Sequence, residues 1–351
     1  MKLVFVTQVL DAEDAVLGFV MRWVQGLARN CESLRVIALE VGKTDGLPAN
    51  VDVRVLGRKG RIGRYFRYQG FLKEAFGEDG FDTLLTHMVP RYSTMAARAA
   101  RRHAVGHYLW YTHKGVDARL RKAVQIVERV FTASEESMRA ETNNKTVTGH
   151  GIDLDHFACE GRPSEPPRLI SVGRLTPSKD PLTLIEALAL VRSGGRDVSL
   201  DWVGGGLAPG DADFRNEVEA RIQSAGLGNA VRLVGDIPYR EIPSWYERST
   251  MLVSTSLTGS VDKVVLEAMA SRRGVVTCNE SFPPIFAPLG DRASSMIFKR
   301  GSSKELARCI EHWLDMPVRE REETSEDLRR IVAEEHEVER LMARLVQEMS
   351  T

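Results

Sequence analysis

Two cationic residues follow a short apolar segment near the middle of the chain. Residues 169–172 are predicted to form a β-strand that ends in Gly173, where the missing side chain would let a ligand approach the backbone. Arg174 comes next, and Lys179 lies five residues later, just before the proline that opens a predicted helix. Two cations in such a strand–loop–helix unit can neutralise a diphosphate, the arginine by forked hydrogen bonds and the lysine as a point charge. The same spacing would also suit two solvated cations on a surface loop.

A second segment, residues 254–270, joins small hydroxyl residues and a Gly-Ser turn to a predicted helix that begins near Asp262. Free N–H groups and the macrodipole at the start of a helix suit a phosphate or a sugar oxygen. Glu267, in the first turns of this helix, could accept two hydrogen bonds from vicinal hydroxyls such as those of a ribose. The alternative role for Glu267 is that of an acid that compensates the helix dipole.

The elements that must position these residues alternate between apolar strands and amphipathic helices, an alternation typical of parallel sheets with helices on both faces. In the first half, strands are predicted at 3–7, 34–39, 51–56, 83–86, 108–111 and 129–133, and a helix at 16–29. In the second half, strands are predicted at 169–172, 199–203, 231–234, 251–254 and 274–277, and helices at 181–191 and 214–225. A turn at 149–151 and a Pro-rich linker at 161–167 separate the halves.

The sequence therefore predicts an α/β protein with two Rossmann-like, doubly wound domains, residues 1–155 and 156–325. The length of 351 residues agrees with two domains of roughly 150 residues each. Ligands of such sheets bind beyond the carboxyl ends of the strands. We expect the two domains to face each other across a cleft, and we expect the function to reside there.

The composition is that of an ordinary folded protein and excludes several classes. Apolar residues make up 43% and charged residues 27%, and 48 Lys and Arg balance 48 Asp and Glu, which argues against a dedicated nucleic-acid binder. No apolar run approaches the roughly 20 residues of a membrane span. The first residues show no secretion signal, and the four cysteines form no CxxC pair. We therefore expect a cytoplasmic protein with reduced thiols.

The zero net charge conceals an asymmetry between the halves of the chain. Residues 1–150 contain 23 Lys and Arg against 16 Asp and Glu, whereas residues 151–351 contain 25 against 32. The basic excess is concentrated at 58–68, where Arg64, Arg67 and other cations alternate with aromatic residues. Either this segment is a solvated helix face, or it meets an anionic partner such as phospholipid headgroups or a polyprenyl phosphate acceptor at the inner face of a membrane.

Taken together, these segments resemble the retaining glycosyltransferases of family 4, which have the GT-B fold. The resemblance is strongest in VGRLTPSKD at 172–180 and SVDKVVLEAMA at 260–270. Further similar segments lie, in the family's order, at 149–153, 202–206, 231–238 and 243–246. The resemblance covers essentially the whole chain, and it implies a terminal helix over 326–351 that packs back on the N-terminal domain.

By this resemblance, Arg174 and Lys179 would hold the donor diphosphate, and Glu267 would hold the ribose hydroxyls. The backbone after the strand at 231–234 would receive the base, and the amides at the start of the next helix would lie against the phosphates or the donor sugar. The donor site implied in this way consists of Gly173, Arg174, Lys179, Asp236, Ile237, Ser260, Val261, Asp262, Lys263, Val264 and Glu267.

The resemblance also implies functional groups in the first domain. The loop at 11–18 would approach the reaction centre, and His113 matches the family's active-site histidine near the transferred sugar. Without the resemblance, a structural role would be the better interpretation of this lone histidine. The expected catalytic set is Gly18, His113, Arg174 and Lys179. The expected acceptor side consists of His87, Arg64 and Arg67.

Two positions depart from the family pattern. The family usually has two glutamates eight positions apart, but here Gly259 takes the place of the first and only Glu267 remains. The carboxylate that normally helps to hold the donor sugar is therefore missing, which leaves the identity of that sugar open. The second departure is Ser-Arg-Arg-Gly at 271–274, where members often have a small residue, glycine and proline.

The resemblance implies transfer of a sugar from a nucleoside diphosphate sugar, UDP before GDP, to an acceptor hydroxyl with retention of the anomeric configuration. The expected setting is the assembly of a surface polysaccharide, a lipopolysaccharide or a glycolipid, with no nucleic acid as a partner. No DxD-type acidic pair occurs at a predicted strand end, so we expect neither a metal nor a cofactor.

Three other functions stay open. A nucleotide-sugar epimerase could share the architecture. A dinucleotide oxidoreductase is disfavoured because the glycines at 204–206 lack the GxGxxG spacing. A protein that binds nucleotide sugars without turnover is suggested by Gly259.

Overall fold

The structure is a computed structural model that describes residues 1–161, 163–206 and 211–350. Within these residues the chain forms two units. The first contains Met1–Asp153, Pro238–Arg240 and the residues from His336 onward, and the second contains Leu154–Ile237 and Glu241–Glu335. The predicted boundaries lie after residues 155 and 325, and the chain passes between the units after Asp153 and again after Glu335.

The first unit is built on a parallel sheet. Its described strands are β1 (Lys2–Leu10), β2 (Ser33–Val41), β3 (Val51–Val55), β4 (Thr83–His87), β5 (Gly106–Trp110), β6 (Arg129–Thr132) and β7 (Lys145–Val147), in the order β3-β2-β1-β4-β5-β6-β7. The helices between them are α1 (Val20–Asn30), α2 (Arg61–Gly77), α3 (Pro90–Arg102) and α4 (Ala118–Val124). Every strand predicted for this half is present, and the short, half-buried β7 is an additional edge strand.

The first helix begins later than the predicted residue 16. The carboxylate of Asp14 accepts the backbone N–H of Val16 at 2.9 Å and that of Leu17 at 2.6 Å. These hydrogen bonds to the Asp14 side chain hold the segment in a turn, because they compete with the backbone hydrogen bonds of a helix. The helix therefore starts only at Val20.

The second unit repeats the architecture with a smaller parallel sheet. Its described strands are β8 (Arg168–Val172), β9 (Ser199–Val203), β10 (Val231–Gly235), β11 (Met251–Ser254) and β12 (Gly274–Thr277), in the order β10-β9-β8-β11-β12. The α-helices are α5 (Pro181–Ser193), α6 (Asp211–Ser224), α7 (Ile242–Glu247), α8 (Lys263–Ala270), α9 (Phe282–Phe286), α10 (Ser303–Asp315) and α11 (Val318–Glu335). The strand order reverses between β8 and β11, which is where doubly wound sheets bind ligands.

The single terminal helix predicted at about 326–349 is two helices, α11 and α12 (Val338–Met349). The break occurs at His336 and Glu337, where the carboxylate of Glu337 accepts two N–H groups at the start of α12, at 2.8 and 2.7 Å. The backbone of Ile152 pairs with this break, since its N–H donates to the carbonyl of His336 at 2.7 Å. Only α12 belongs to the first unit, where it packs against α1; α11 lies in the second unit against α8.

Burial of His336 makes the stability of the first unit depend on pH. Its Nδ1 accepts the backbone N–H of His150 at 3.1 Å, which requires an unprotonated nitrogen. Burial lowers the pKa of His336 from 6.5 to about 4. In the window between these values the unfolded chain binds a proton that the folded chain excludes. The contribution to stability is therefore complete above pH 6.5 and is lost as the pH falls towards about 4.

We predict that His336→Gln reduces the dependence of the unfolding free energy on pH in this window by up to about 1.4 kcal/mol per pH unit. Urea denaturation at a series of pH values measures the slope. The control is His312→Gln, which changes an exposed histidine and should keep the wild-type slope. An unchanged slope in His336→Gln would contradict the assignment.

Candidate active site

The two segments singled out by the sequence follow the two strands at the reversal point of the second sheet. Gly173 follows β8, and a loop at 255–262 connects β11 to α8. In a parallel sheet the carboxyl ends of neighbouring strands lie at one edge, and β8 and β11 are neighbours. This edge of the second unit is the candidate donor site.

Two glycines bring the ends of β8 and β9 close together. Gly173 has a φ of +144°, its N–H donates to the carbonyl of Val203 at 2.9 Å, and its carbonyl accepts from Nε1 of Trp202 at 3.0 Å. Gly204 has a φ of +124°, and a Cβ at this position would collide with the carbonyl of Gly173. Side chains are excluded from both positions, so the backbone at this edge stays uncovered.

The two cations predicted to hold a diphosphate differ in their environment. Arg174 is exposed, and among the described residues its guanidinium has no hydrogen-bond or ion-pair partner. Lys179 is half-buried, and its Nζ donates to Oδ1 of Asp262 at 2.9 Å and to Oγ of Ser256 at 3.1 Å. Arg174 is therefore available to an anion, whereas Lys179 already has a carboxylate partner.

Asp262 occupies the N-cap position of α8 but does not cap the helix. Its buried carboxylate accepts from Lys179 and, through Oδ2, from the hydroxyl of Ser254 at 3.0 Å. The bond to Lys179 joins the loop after β8 to the start of α8. Because the side chain of Asp262 does not cap this helix, the partial positive charge at the helix N-terminus suits an anionic ligand.

Glu267 is buried and has two partners in the second unit. Lys263, one turn earlier in α8, donates to Oε1 at 2.6 Å, and the hydroxyl of Tyr246 donates to Oε2 at 3.3 Å. The single proton of this hydroxyl is shared with the carbonyl oxygen of Val264, which lies 3.1 Å from the Tyr246 oxygen. These bonds fix the orientation of the carboxylate that is predicted to hold a ribose.

The loop at 255–262 is supported by two buried side chains that sequence reasoning missed. Asn279 donates from Nδ2 to the carbonyl of Ser260 at 2.6 Å, and Ser281 donates from its hydroxyl to the carbonyl of Gly259 at 3.2 Å. Both residues follow the carboxyl end of β12. Small polar residues directly after a predicted strand were the signal that could have revealed them.

Asp236 and Ile237 follow β10 at the same edge. The carboxylate of Asp236 accepts the N–H of Gly205 at 2.7 Å, and a Cβ on Gly205 would lie 2.8 Å from the other carboxylate oxygen. Ile237 is half-buried. The exposed Asp236 therefore holds the glycine loop after β9, and the segment predicted to receive the base lies beside that loop.

The predicted donor residues carry balanced charges. The acids are Asp236, Asp262 and Glu267, and the bases are Arg174, Lys179 and Lys263. Lys179 and Lys263 each lie within 3 Å of a carboxylate oxygen. A diphosphate that binds here must therefore compete with Asp262 for Lys179, or rely on Arg174 and the N-terminus of α8.

The first unit contains the other predicted catalytic residues. His113 is exposed beyond β5, and its Nδ1 accepts the N–H of Gly115 at 3.0 Å, so that a neutral ring carries its proton on Nε2. Gly18 is buried in the loop after β1, and a Cβ there would lie 2.7 Å from the carbonyl oxygen of Asp14. His113 thus offers a donor to solvent, and the backbone at Gly18 has room for no larger residue.

His87 does not lie where its predicted acceptor-side role requires. It is 1% exposed, and its ring packs among aromatic side chains that include Phe5, Trp23 and Trp110. Burial lowers the pKa of His87 to about 3, and Nδ1 lies 3.1 Å from the hydroxyl of Thr7. Since strand β4 is buried along its length, the histidine at its end is enclosed with it and serves packing in this structure.

Arg64 and Arg67, the other predicted acceptor residues, lie in the first two turns of α2. Arg64 donates to the carbonyl of Arg58 at 3.3 Å, and Arg67 donates to the carbonyl of Leu56 at 2.8 Å. Both side chains thus hold the loop that leads into α2.

The structure explains the second departure from the family pattern, which lies at 271–274. Arg273 is buried and donates to the carbonyls of Tyr246 at 2.9 Å, Glu247 at 2.9 Å and Gly161 at 2.7 Å. Its guanidinium thereby satisfies the C-terminal end of α7, the helix that supplies Tyr246 to Glu267. Burial lowers the pKa of Arg273 below its usual value.

A cavity of about 530 Å³ lies at the opposite, amino edge of the second sheet, near the starts of β8, β9 and β10. Within it, the buried carboxylate of Asp201 accepts from Arg168 at 3.2 Å and from Arg232 at 2.9 Å. These charges pair with each other, which indicates a structural role. Over the described residues, no group of three or more His, Cys, Asp or Glu side chains could hold a metal ion. Metal independence of the chemistry stays a prediction.

The sequence family described as "Glycosyl transferases group 1" matches residues 154–331. Alpha-D-kanosaminyltransferase of Streptomyces kanamyceticus is 27% identical over 67% of this chain and 59% of its own length. The lipopolysaccharide core biosynthesis mannosyltransferase LpcC of Rhizobium leguminosarum bv. viciae is 24% identical over 55% of this chain and 56% of its own length. The chain thus spans less than two thirds of the length of these curated relatives.

The solved structures that match the whole chain include the following two. Anabaena Alr3699/HepE in complex with UDP has a TM-score of 0.77 at 18% identity, with 100% of both chains covered. Sucrose-phosphate synthase from Thermosynechococcus elongatus has a TM-score of 0.78 at 16% identity, with 100% of this chain and 98% of the other covered. The predicted α/β fold of the GT-B type is confirmed.

We predict that Arg273→Met lowers the free energy of unfolding by at least about 2 kcal/mol, because buried carbonyls lose their donor. Arg272→Met is the matched control: Arg272 forms a more exposed ion pair with Glu326, so its loss should cost less than about 1 kcal/mol. Urea denaturation of both variants measures the difference. Equal losses in the two variants would refute the role assigned to Arg273.

Proposed function

Because the chain belongs to the family of glycosyl transferases group 1, we propose that it transfers a sugar from a nucleoside diphosphate sugar to the hydroxyl group of an acceptor. The observation that carries this proposal is the carboxyl edge of the second sheet. There, the Lys179–Asp262 bond joins the glycine loop after β8 to the start of α8, which the side chain of Asp262 does not cap. Glu267 is held in a fixed orientation by its bond to Lys263, four residues earlier.

The chemistry that this edge can perform is electrostatic. As the bond between the anomeric carbon and the phosphate oxygen breaks, negative charge grows on the diphosphate. Arg174 and the N-terminus of α8 would stabilise that charge without a metal. We propose that the acceptor oxygen attacks from the face that the phosphate leaves, so that the anomeric configuration is retained, and that the departing phosphate takes the acceptor's proton.

UDP is the favoured nucleotide, and GDP is the second choice. Support for UDP comes from Alr3699/HepE, a structure of similar fold that holds UDP. In the proposed complex the ribose hydroxyls bind Glu267 and the base lies at the backbone of Asp236 and Ile237. Gly259 offers no carboxylate to the donor sugar, so this position leaves the sugar open.

For the acceptor, we favour a lipid-linked or surface carbohydrate. One relative is named for lipopolysaccharide core biosynthesis and another, from Erwinia amylovora, for amylovoran biosynthesis. The name of a further relative, 2-deoxystreptamine glucosyltransferase, points to a small-molecule acceptor. The basic and aromatic residues at 58–68 favour the first class, since a lipid-linked acceptor would bring the enzyme to an anionic membrane.

Binding of a nucleotide sugar without turnover is the alternative, and Gly259 is the residue that suggests it. It differs from the proposal in one observable: nucleotides would bind, but no sugar would be transferred to any acceptor offered. An epimerase would instead convert the sugar while it stays attached to the nucleotide.

Calorimetric titration of UDP, GDP, ADP and NAD into the full chain tests the donor site. We predict that one nucleoside diphosphate binds and that Glu267→Gln weakens it at least about tenfold, or about 1.4 kcal/mol, because the amide is a weaker acceptor for the ribose hydroxyls. Glutamine keeps the shape of the side chain and its contact with Tyr246. The control is Glu320→Gln, an exposed acid of α11 that should leave binding unchanged. Binding of NAD alone, or of no nucleotide, would overturn the proposal.

A further inference from the structure

The first turns of α2 concentrate exposed apolar side chains. Of the seven large hydrophobic residues that are exposed in the described chain, three lie within five positions: Ile62 at 75%, Tyr65 at 43% and Phe66 at 67%. Ile62 and Phe66 are four residues apart, and so share one side of the helix. The rings of Tyr65 and Phe66 lie 5.6 Å apart, edge to face.

The rest of α2 shows that packing of the first unit does not require these side chains. Tyr68, Leu72, Ala75 and Phe76 are buried in the core of the first unit, and the hydroxyl of Tyr68 donates to the carbonyl of Tyr92 at 3.2 Å. The helix is thus anchored by its later turns. Its first turns stay uncovered although their apolar side chains would gain free energy from burial.

Positive charge surrounds these apolar residues. Arg58, Lys59 and Arg61 are exposed, and the sequence has no acid between Asp52 and Glu74. Arg58 pairs with Glu40, but Lys59 and Arg61 have no partner among the residues that the structure describes. An apolar centre with a basic rim complements an anionic lipid surface, where the cations meet phosphates and the apolar groups enter the interface. The described chain has no helix long and apolar enough to cross a membrane.

We propose that this basic–aromatic surface, formed by Arg58, Lys59, Arg61, Ile62, Tyr65 and Phe66, docks the enzyme on an anionic phospholipid bilayer. Ile62 and Phe66 enter the interface, and the cations bind headgroup phosphates. The inference rests on the proposed function in one respect: membrane docking would hold the enzyme beside a membrane-borne acceptor. The binding itself requires no turnover.

Co-sedimentation of the full chain with vesicles tests the proposal. The wild type should bind vesicles of equal parts phosphatidylcholine and phosphatidylglycerol, should be released by salt, and should not bind phosphatidylcholine alone. The double variant Lys59→Gln/Arg61→Gln should lower the vesicle partition coefficient by more than about tenfold, because each lost charge should lower it about fivefold. Ile62→Ser/Phe66→Ser should lower it at least about tenfold through lost interfacial burial.

Matched controls remove two cations or two apolar side chains from exposed positions of the second unit. Lys304→Gln/Arg308→Gln removes two cations from α10, and Leu190→Ser/Val318→Ser removes two exposed apolar side chains; both should bind like the wild type. The proposal would be overturned if the α2 variants bound vesicles as well as the wild type does, or if the wild type showed no preference for anionic vesicles. Binding of the wild type to a single-stranded RNA oligomer without binding to vesicles would also overturn it.

UDP titration of the same variants separates membrane docking from the proposed function. We expect the α2 variants to lose vesicle binding and to retain UDP binding. Vesicle binding without UDP binding would refute the proposed function alone.

Discussion

The candidate donor site of the second unit depends on how its buried charges are paired. Asp262 and Glu267 are both more than nine-tenths buried, and a carboxylate in such a place is costly unless a cation and hydrogen bonds compensate it. Lys179 and Lys263 supply the cations, and Ser254 and Tyr246 supply further donors. The first pair also connects the loop after β8 to the start of α8. Pairing therefore stabilises the buried acids and, among the described residues of the predicted donor site, leaves Arg174 as the cation without a carboxylate partner.

The parts of the fold that follow from local patterns could be predicted from the sequence. Apolar segments such as 3–7 and 251–254 form strands because parallel strands are buried on both faces. What could not be predicted depends on contacts between distant residues. The break at His336 exists because Ile152, far away in the sequence, pairs with the backbone there. The late start of α1 at Val20 required the side-chain bonds of Asp14, which a helical pattern of apolar residues does not show.

Site residues divide in the same way. The positions of Gly173, Lys179 and Glu267 at one edge follow from topology, because neighbouring parallel strands end together. The partners of these residues do not follow from it. The sequence could not indicate that Asp262 faces Lys179 and not its own helix, or that Asn279 and Ser281 hold the loop before α8. His87 illustrates the opposite error, since a histidine at a strand end was expected to face a ligand and is enclosed by aromatic rings.

The central claim is that a nucleoside diphosphate binds at the carboxyl edge of the second sheet. Hydrogen exchange of the full chain, followed by mass spectrometry with and without UDP, tests it most directly because the method locates the ligand on the sequence. We predict slower exchange of the amides at 173–179 and 258–266 when UDP is present, with no change at 215–233, which lines the cavity at the amino edge. Slower exchange at 215–233 with none at the carboxyl edge would contradict the claim.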